Sequence, residues 1–184
     1  MAWIKGFSIV LVSVLLVSGC ELFETRKPEE PTGNVEWNYF PITSEQAWDN
    51  LTFVFKYDEN IDKYGTILTD DFRFYFDAQD VHDYSLPPSW NKHSEVTMRG
   101  LITISVSIDY QPIVDKEDLI QADKATYNRD YEIRKGSTDD ILFAGSMSVY
   151  LRRDVDGFWR IYRWEDYRKG QYVSWGRLKY EYGT

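Results

Sequence analysis

Few residues in this 184-residue chain have the type and spacing for chemistry. Two histidines are available as general bases, His82 in "DAQDVHDYS" and His93 in "SWNKHSE". An unperturbed imidazole changes charge near neutral pH, so either could move a proton or hold a metal. Asp80 and Asp83 beside His82 add oxygen ligands. Two histidines without a second cysteine, an HxH or an HExxH motif do not make a zinc pattern, so no metal and no other cofactor is expected. The segment around His82 is polar and reads as a loop, with the imidazole in water. His93 follows Trp90 by three residues and is the better-placed base, although a surface position is its default. No glycine-rich phosphate loop and no G-x-S-x-G elbow is present, so serine hydrolase chemistry lacks its frame.

The remaining reactive side chain is Cys20, the only cysteine. It closes the run "VLLVSGC", after Lys5 and an apolar stretch from Phe7 to Val17. Eleven residues make a helix of about 16 Å at ~1.5 Å per residue, shorter than a bilayer-spanning helix requires. Residues 1–19 therefore read as an export signal. "Val17-Ser18-Gly19-Cys20" resembles the lipobox of bacterial lipoproteins, which implies cleavage before Cys20 and acylation of its thiol. Residues 20–39 then form the lipidated cysteine and a flexible tether, rich in proline and charge through "TRKPEEPTGNVE". Residues 40–184 form one domain.

The elements that position any site follow from periodicity. Thr43 and Gln46 fit a capping box, and Ala47, Trp48, Leu51, Val54 and Phe55 recur at helical spacing, which predicts a helix over 44–56. A shorter helix capped by Asp58 or Asn60 places Ile61, Tyr64, Ile67 and Leu68 on one face. Phe72, Phe74 and Phe76 alternate with Arg73 and Tyr75 in a strand, with Asp70 and Asp71 capping or turning the chain before it. Ser89 or Ser94 caps a third helix ending near Gly100. Strands follow through Ile102–Ile108, 124–135, 141–153 and 158–168, with a tight turn at Asp156-Gly157. Ser174 caps a short terminal helix. Helices first and long antiparallel strands after predict an α+β fold, a curved sheet wrapped around two to three N-terminal helices.

Acidic residues outnumber basic ones by 30 to 21, for a net charge of −9. That balance disfavours nucleic acid, whose phosphates need lysine and arginine in quantity. Aromatic residues make up 17% of the chain, enough to fill a core or to line a pocket.

The order helix, short helix, "TDDFRFYFD", helix, then strands ending in "DGFWRIYRWEDYR" resembles the nuclear transport factor 2-like superfamily, which includes ketosteroid isomerase-like and SnoaL-like proteins. The likeness spans about residues 40–170 and implies a cone with a pocket at its open end. In a ketosteroid isomerase-type enzyme a carboxylate base faces that pocket; laid on Asp70-Asp71 without a gap, its position falls on Phe76. A phenyl ring takes no proton, and only a one-residue bulge would bring Asp77 inward. Tyr57, Tyr75, Trp90, Tyr150 and Trp164 are the expected cavity-facing residues, and Asp166 is expected to pair with an arginine. The expected function is a membrane-tethered cell-envelope lipoprotein whose domain binds a small apolar ligand or an envelope protein without catalysis. The alternatives are an isomerase or hydro-lyase on a small hydrophobic substrate, with Asp77 or His93 as base, and an assembly module that forms homodimers.

Overall fold

Helix α1 (Ser44–Lys56) opens the domain, and its start is fixed by the capping box that the sequence predicts. The Thr43 hydroxyl accepts the Gln46 backbone N–H at 3.3 Å, and Gln46 Oε1 accepts the N–H groups of Thr43 and Ile42 at 3.3 and 2.8 Å. Ala47, Leu51, Val54 and Phe55 are buried at helical spacing. The computed structural model describes residues 36–57, 61–101, 106–113, 115–135 and 141–183. The signal segment, Cys20 and residues 20–35 of the tether lie outside the described residues, as do Asp58, Asn60, Ile102 and Ile104. Trp37 and Asn38, counted above with the tether, are held on α1. Asn38 N–H donates to Asn50 Oδ1 at 2.7 Å, Asn50 returns a bond to Asn38 O at 2.9 Å, and Trp37 lies 5.8 Å from the Phe53 ring.

Helix α2 (Ile61–Thr66) is followed directly by β1 (Leu68–Tyr75). Ile67 and Leu68 therefore leave the helix that the spacing predicts, and Leu68 enters the sheet opposite Ile161. Asp70 and Asp71 likewise stand in β1 with exposed side chains, and do not cap or turn the chain before it. Phe72, Phe74 and Phe76 point inward as their alternation predicts.

The segment read as a loop is a helix, α3 (Ala78–Tyr84). It has no apolar stripe to announce it, because its order comes from capping. Asp77 Oδ1 accepts the N–H groups of Gln79 and Asp80 at 2.8 and 3.2 Å. Short strand β2 (Ser89–Asn91) leads into α4 (Lys92–Leu101). Its cap is Asn91, whose Oδ1 accepts the Ser94 N–H at 3.1 Å; Ser89 lies in the strand and Ser94 inside the helix.

Strands β3 (Val106–Pro112), β4 (Leu119–Ile120), β5 (Lys124–Lys135), β6 (Ile141–Arg153) and β7 (Trp159–Arg168) complete the sheet, and α5 (Trp175–Gly183) ends the description. The order is β2-β1-β7-β6-β5-β3, with β4 on β5. All pairings are antiparallel except β1 with β7. The β6–β7 turn closes with Gly157 at φ 84°, a conformation that favours glycine. The fold is α+β, a curved sheet whose inner face packs on the helices.

Candidate functional site

The inner face of the sheet and two helices enclose a charged centre. Helix α4 turns Glu95, Met98 and Arg99 inward at i, i+3 and i+4, and α5 does the same with Trp175, Leu178 and Lys179. Glu95 and Lys179 meet with Nζ to Oε1 at 2.6 Å, both at 0% exposure. The Tyr64 hydroxyl donates to the same Oε1 at 2.5 Å, and Trp90 Nε1 donates to Oε2 at 2.7 Å. The Lys179 ammonium also sits over aromatic rings, 3.9 Å from the Phe74 centroid, 4.0 Å from Trp164 and 5.6 Å from Trp175. Three rings and a carboxylate are the arrangement that recognises an organic cation. Here the cation belongs to the chain. Burial pulls the Lys179 pKa down, and the Glu95 charge opposes that pull.

A second buried carboxylate lies beside it. Asp166 was expected to pair with an arginine, but its partners are neutral donors. The Tyr131 hydroxyl donates to Oδ1 at 2.7 Å and the Gly176 N–H to Oδ2 at 2.6 Å. The Tyr131 oxygen in turn accepts the Trp175 N–H at 2.7 Å. Desolvation pushes the Asp166 carboxyl up to about 6, against the pull of these hydrogen bonds and of Lys179. Desolvation, followed by the nearby Asp166 charge, raises the Tyr131 phenol well above its ordinary value. Ser174 donates its hydroxyl to Asp80, and its oxygen accepts the Arg177 N–H at 3.1 Å, so it caps α5 as the sequence predicts. Buried polar groups thus fasten α5 to the sheet beside the aromatic contacts of Trp175 with Phe55 and of Tyr180 with Phe76. The indole N–H groups of Trp164 and Trp175 find no acceptor among the described residues. Each is a buried donor of the kind that costs about 1–3 kcal/mol when left unpaired.

The residues singled out from sequence divide between this centre and the outside. Trp90 and Trp164 belong to it. Tyr57, Tyr75 and Tyr150 do not. Tyr57 ends α1 with its ring 4.8 Å from Phe53. Tyr75 alternates away from Phe74 and Phe76, and Arg163 lies over its ring at 4.5 Å on the outer face. Tyr150 is on that face too, its hydroxyl donating to Glu165 Oε2 at 2.6 Å. Burial, together with the Glu165 carboxylate, pushes Tyr150 up to about 12. Phe76 packs edge-on against Trp90 at 5.1 Å, so the expected base position holds hydrocarbon. Asp77 is not brought inward by a bulge, because its carboxylate is committed to the α3 cap and accepts the Arg168 N–H at 3.3 Å. His82 is exposed on α3 against Asp83. His93 lines an outer cleft of about 670 Å³ with Asp70, Asp71, Arg73, Asn91 and Lys92.

Glu95 and Lys179 were missed. The sequence does carry a signal for them: in "SEVTMRG" and "WGRLKYEY" a charge recurs on the face occupied by Met98 or by Trp175 and Leu178. A charge on an apolar helix face is unusual unless it is paired. Nothing in the chain says that the two partners, 84 residues apart, belong to each other.

No protein-family model matches the chain, and no curated protein matches it. Solved structures do. A nuclear transport factor 2-like protein from Cytophaga hutchinsonii superposes with TM-score 0.52 at 12% identity, covering 68% of this chain and 94% of that one. A nuclear transport factor 2-like protein of unknown function from Pseudomonas putida gives 0.52 at 12%, with 70% and 90% covered. A candidate calcium/calmodulin-dependent protein kinase type II association domain from Thiobacillus denitrificans gives 0.53 at 17%, with 71% and 98% covered. The resemblance read from the strand order is thus met in the fold. At these identities the likeness concerns the fold alone.

Proposed function

We propose that this chain is a membrane-tethered cell-envelope lipoprotein whose domain binds a ligand or partner on its exterior and performs no catalysis. One observation carries the non-catalytic part. The interior, where a pocket of this fold would open, is occupied by the chain's own Lys179, held among Phe74, Trp164 and Glu95 with no exposed surface. Glu95 and Asp166 are carboxylates within reach of tyrosines, which is the equipment of a proton-transfer site. Their oxygens are taken by Lys179, Tyr64 and Trp90, and by Tyr131 and Gly176. A base must reach its substrate proton at about 3 Å, and neither carboxylate has a lone pair directed to open space.

The anchoring part rests on the Val17-Ser18-Gly19-Cys20 motif. Two acyl chains hold a protein to a bilayer where one gives reversible binding. What remains for binding is the outside, including the His93 cleft and a second cleft of about 510 Å³ between Asp130, Glu132, Ala144, Lys169 and Tyr172. Replacing Cys20 by serine should move the protein from the membrane fraction to the soluble one. Retention in the membrane would remove the anchor. An apolar fluorescent probe such as anilinonaphthalene sulfonate should leave Trp164 and Trp175 unquenched. Saturable quenching of those indoles would return the enzyme reading.

A further inference from the structure

The exposed apolar residues of the domain are not scattered. Among the described residues ten large apolar or aromatic side chains are exposed, and six of them, Tyr39, Phe40, Ile42, Leu119, Ile120 and Val155, gather at one end of the sheet. The register places them together. Trp159 N–H donates to Pro41 O at 2.8 Å, and the Phe40 ring lies 5.5 Å from Phe158, which sets Tyr39–Ile42 against the start of β7. Val155 is fully exposed in the β6–β7 turn, two residues after Arg153, which pairs with Trp159. Strand β4 reaches the same end: Ile120 pairs with Ala125, Ala125 with Leu151, and Arg153 N–H donates to Asp123 O at 3.0 Å. An apolar end assembled from three separate segments marks an interaction surface in a soluble domain.

The charges around it are of both signs. Asp154 and Asp156 flank Val155, and Arg160 pairs with both, at 2.9 Å to Asp154 and 2.6–2.8 Å to Asp156, which compensates one of their two charges. Exposed Lys124 and Arg153 stand at the rim, with Glu117, Asp118, Asp123 and Asp156 as exposed acidic neighbours. Exposed apolar tips with lysine and arginine within reach of the headgroups can enter the bilayer interface. The chain also arrives here. Glu36 lies sixteen residues after Cys20, so even fully extended the link reaches no more than about 55 Å. From Glu36 the backbone is tied to α1 through Asn38 and passes at once into Tyr39–Ile42.

We propose that this end of the domain rests on the lipid bilayer, with Phe40, Ile42 and Val155 entering the headgroup layer and Lys124 and Arg153 meeting lipid phosphates. The proposal rests on acylation of Cys20, which holds the domain close enough for weak surface contacts to persist. It adds an orientation: the end of the sheet that carries α5 points away from the membrane.

The test uses the full, acylated chain in vesicles of phosphatidylcholine and phosphatidylglycerol. With Cys20 acylated, a thiol introduced by Val155→Cys is the only free one and takes an environment-sensitive fluorophore. Emission should shift to the blue and be quenched by lipid-borne quenchers. The same label introduced by Gln171→Cys, in the exposed loop at the far end of β7, should remain water-like. Adding Phe40→Ser and Ile42→Ser should abolish the shift at 155 while the protein stays in the membrane fraction. Water-like emission at 155 on anchored protein overturns the proposal, as does equal quenching at both sites. A shift that tracks protein density in the vesicles, and not lipid, assigns the surface to self-association and also overturns it. The anchor is judged separately by Cys20→Ser fractionation, so the two failures are distinguishable.

Discussion

At the Asp166 end of β7 the protein hides charge; at the Trp159 end it displays hydrocarbon. Seven residues separate the two, about 23 Å at ~3.3 Å per residue. Around Asp166, a carboxylate bonded to Tyr131 and a Glu–Lys pair bonded to Tyr64 are buried, with bonds of 2.5–2.7 Å within each group. Around Val155, side chains that would stabilise a core stand in solvent. Neither arrangement is what folding alone selects. A buried ion pair gives little net stability over a well-packed apolar pair, but it does demand one geometry. The polar end therefore fixes where α5 sits. The apolar end keeps most of its side-chain surface in solvent, with the Phe40 ring against Phe158 as a contact to the fold, so its hydrocarbon adds little to the core.

That contrast can be broken most forcefully at the buried pair. Lys179→Ala should destabilise the domain by about 3–5 kcal/mol, because Glu95 is left buried without a counter-charge, with only the neutral donors Tyr64 and Trp90. Lys179→Met combined with Glu95→Gln should recover most of that loss in urea unfolding. A single and a double variant of equal cost would show that packing, and not charge, holds α5. Trp164→Ala removes a wall of the same cage and should cost about 3–5 kcal/mol. A loss under 1 kcal/mol would place that ring outside the core.

Acidity acts next. Asp166 has a folded pKa raised to about 6 from an ordinary value near 3.8. The folded state therefore holds its proton over a range where the unfolded chain has released it. Stability from this group is fully present below about pH 4 and lost as pH rises through 6. Two units correspond to roughly 3 kcal/mol as an upper bound. The surface carboxylates of Asp71 and Asp118 are held down by Arg152 and Arg129, and their contribution runs the other way, fading only as pH falls below 4. Between pH 4 and 6 the native chain should lose stability as pH rises, and Asp166→Asn should flatten that slope. An unchanged slope in the variant would assign it to another group.

The smallest effect belongs to the apolar end. Val155→Ser and Ile42→Ser should each change stability by no more than about 0.5 kcal/mol, since exposed positions have little to lose. A loss above 1 kcal/mol would make these residues part of the fold, and their use at a bilayer would need another basis.

Local signals made much of this fold legible in the chain. The Thr43–Gln46 box, the alternation of Phe72, Phe74 and Phe76, and the Asp156-Gly157 turn each depend on residues a few positions apart. Helix α3 escaped because its order comes from the Asp77 cap and from Asp80 reaching Ser174, 94 residues away. The charged centre escaped for the same reason. Glu95 and Lys179 have meaning only together, and periodicity reports each helix by itself. The outer tyrosines were misplaced through reliance on residue type. Tyr75 and Tyr150 look like pocket linings, yet strand alternation, read strictly from Phe74, already turns Tyr75 outward.

The interior is closed on its own lysine, and side-chain reactivity reads that closure directly. Amine labelling of the native protein with a water-soluble reagent, followed by peptide mass spectrometry, compares the two ends in one experiment. Lys124, exposed at the apolar end, should be modified early. Lys179, buried against Glu95 and three rings, should stay unmodified until the domain unfolds. Modification of Lys179 at a rate near that of Lys124, with the fold intact, would show that the interior opens to solvent and is not closed on its lysine.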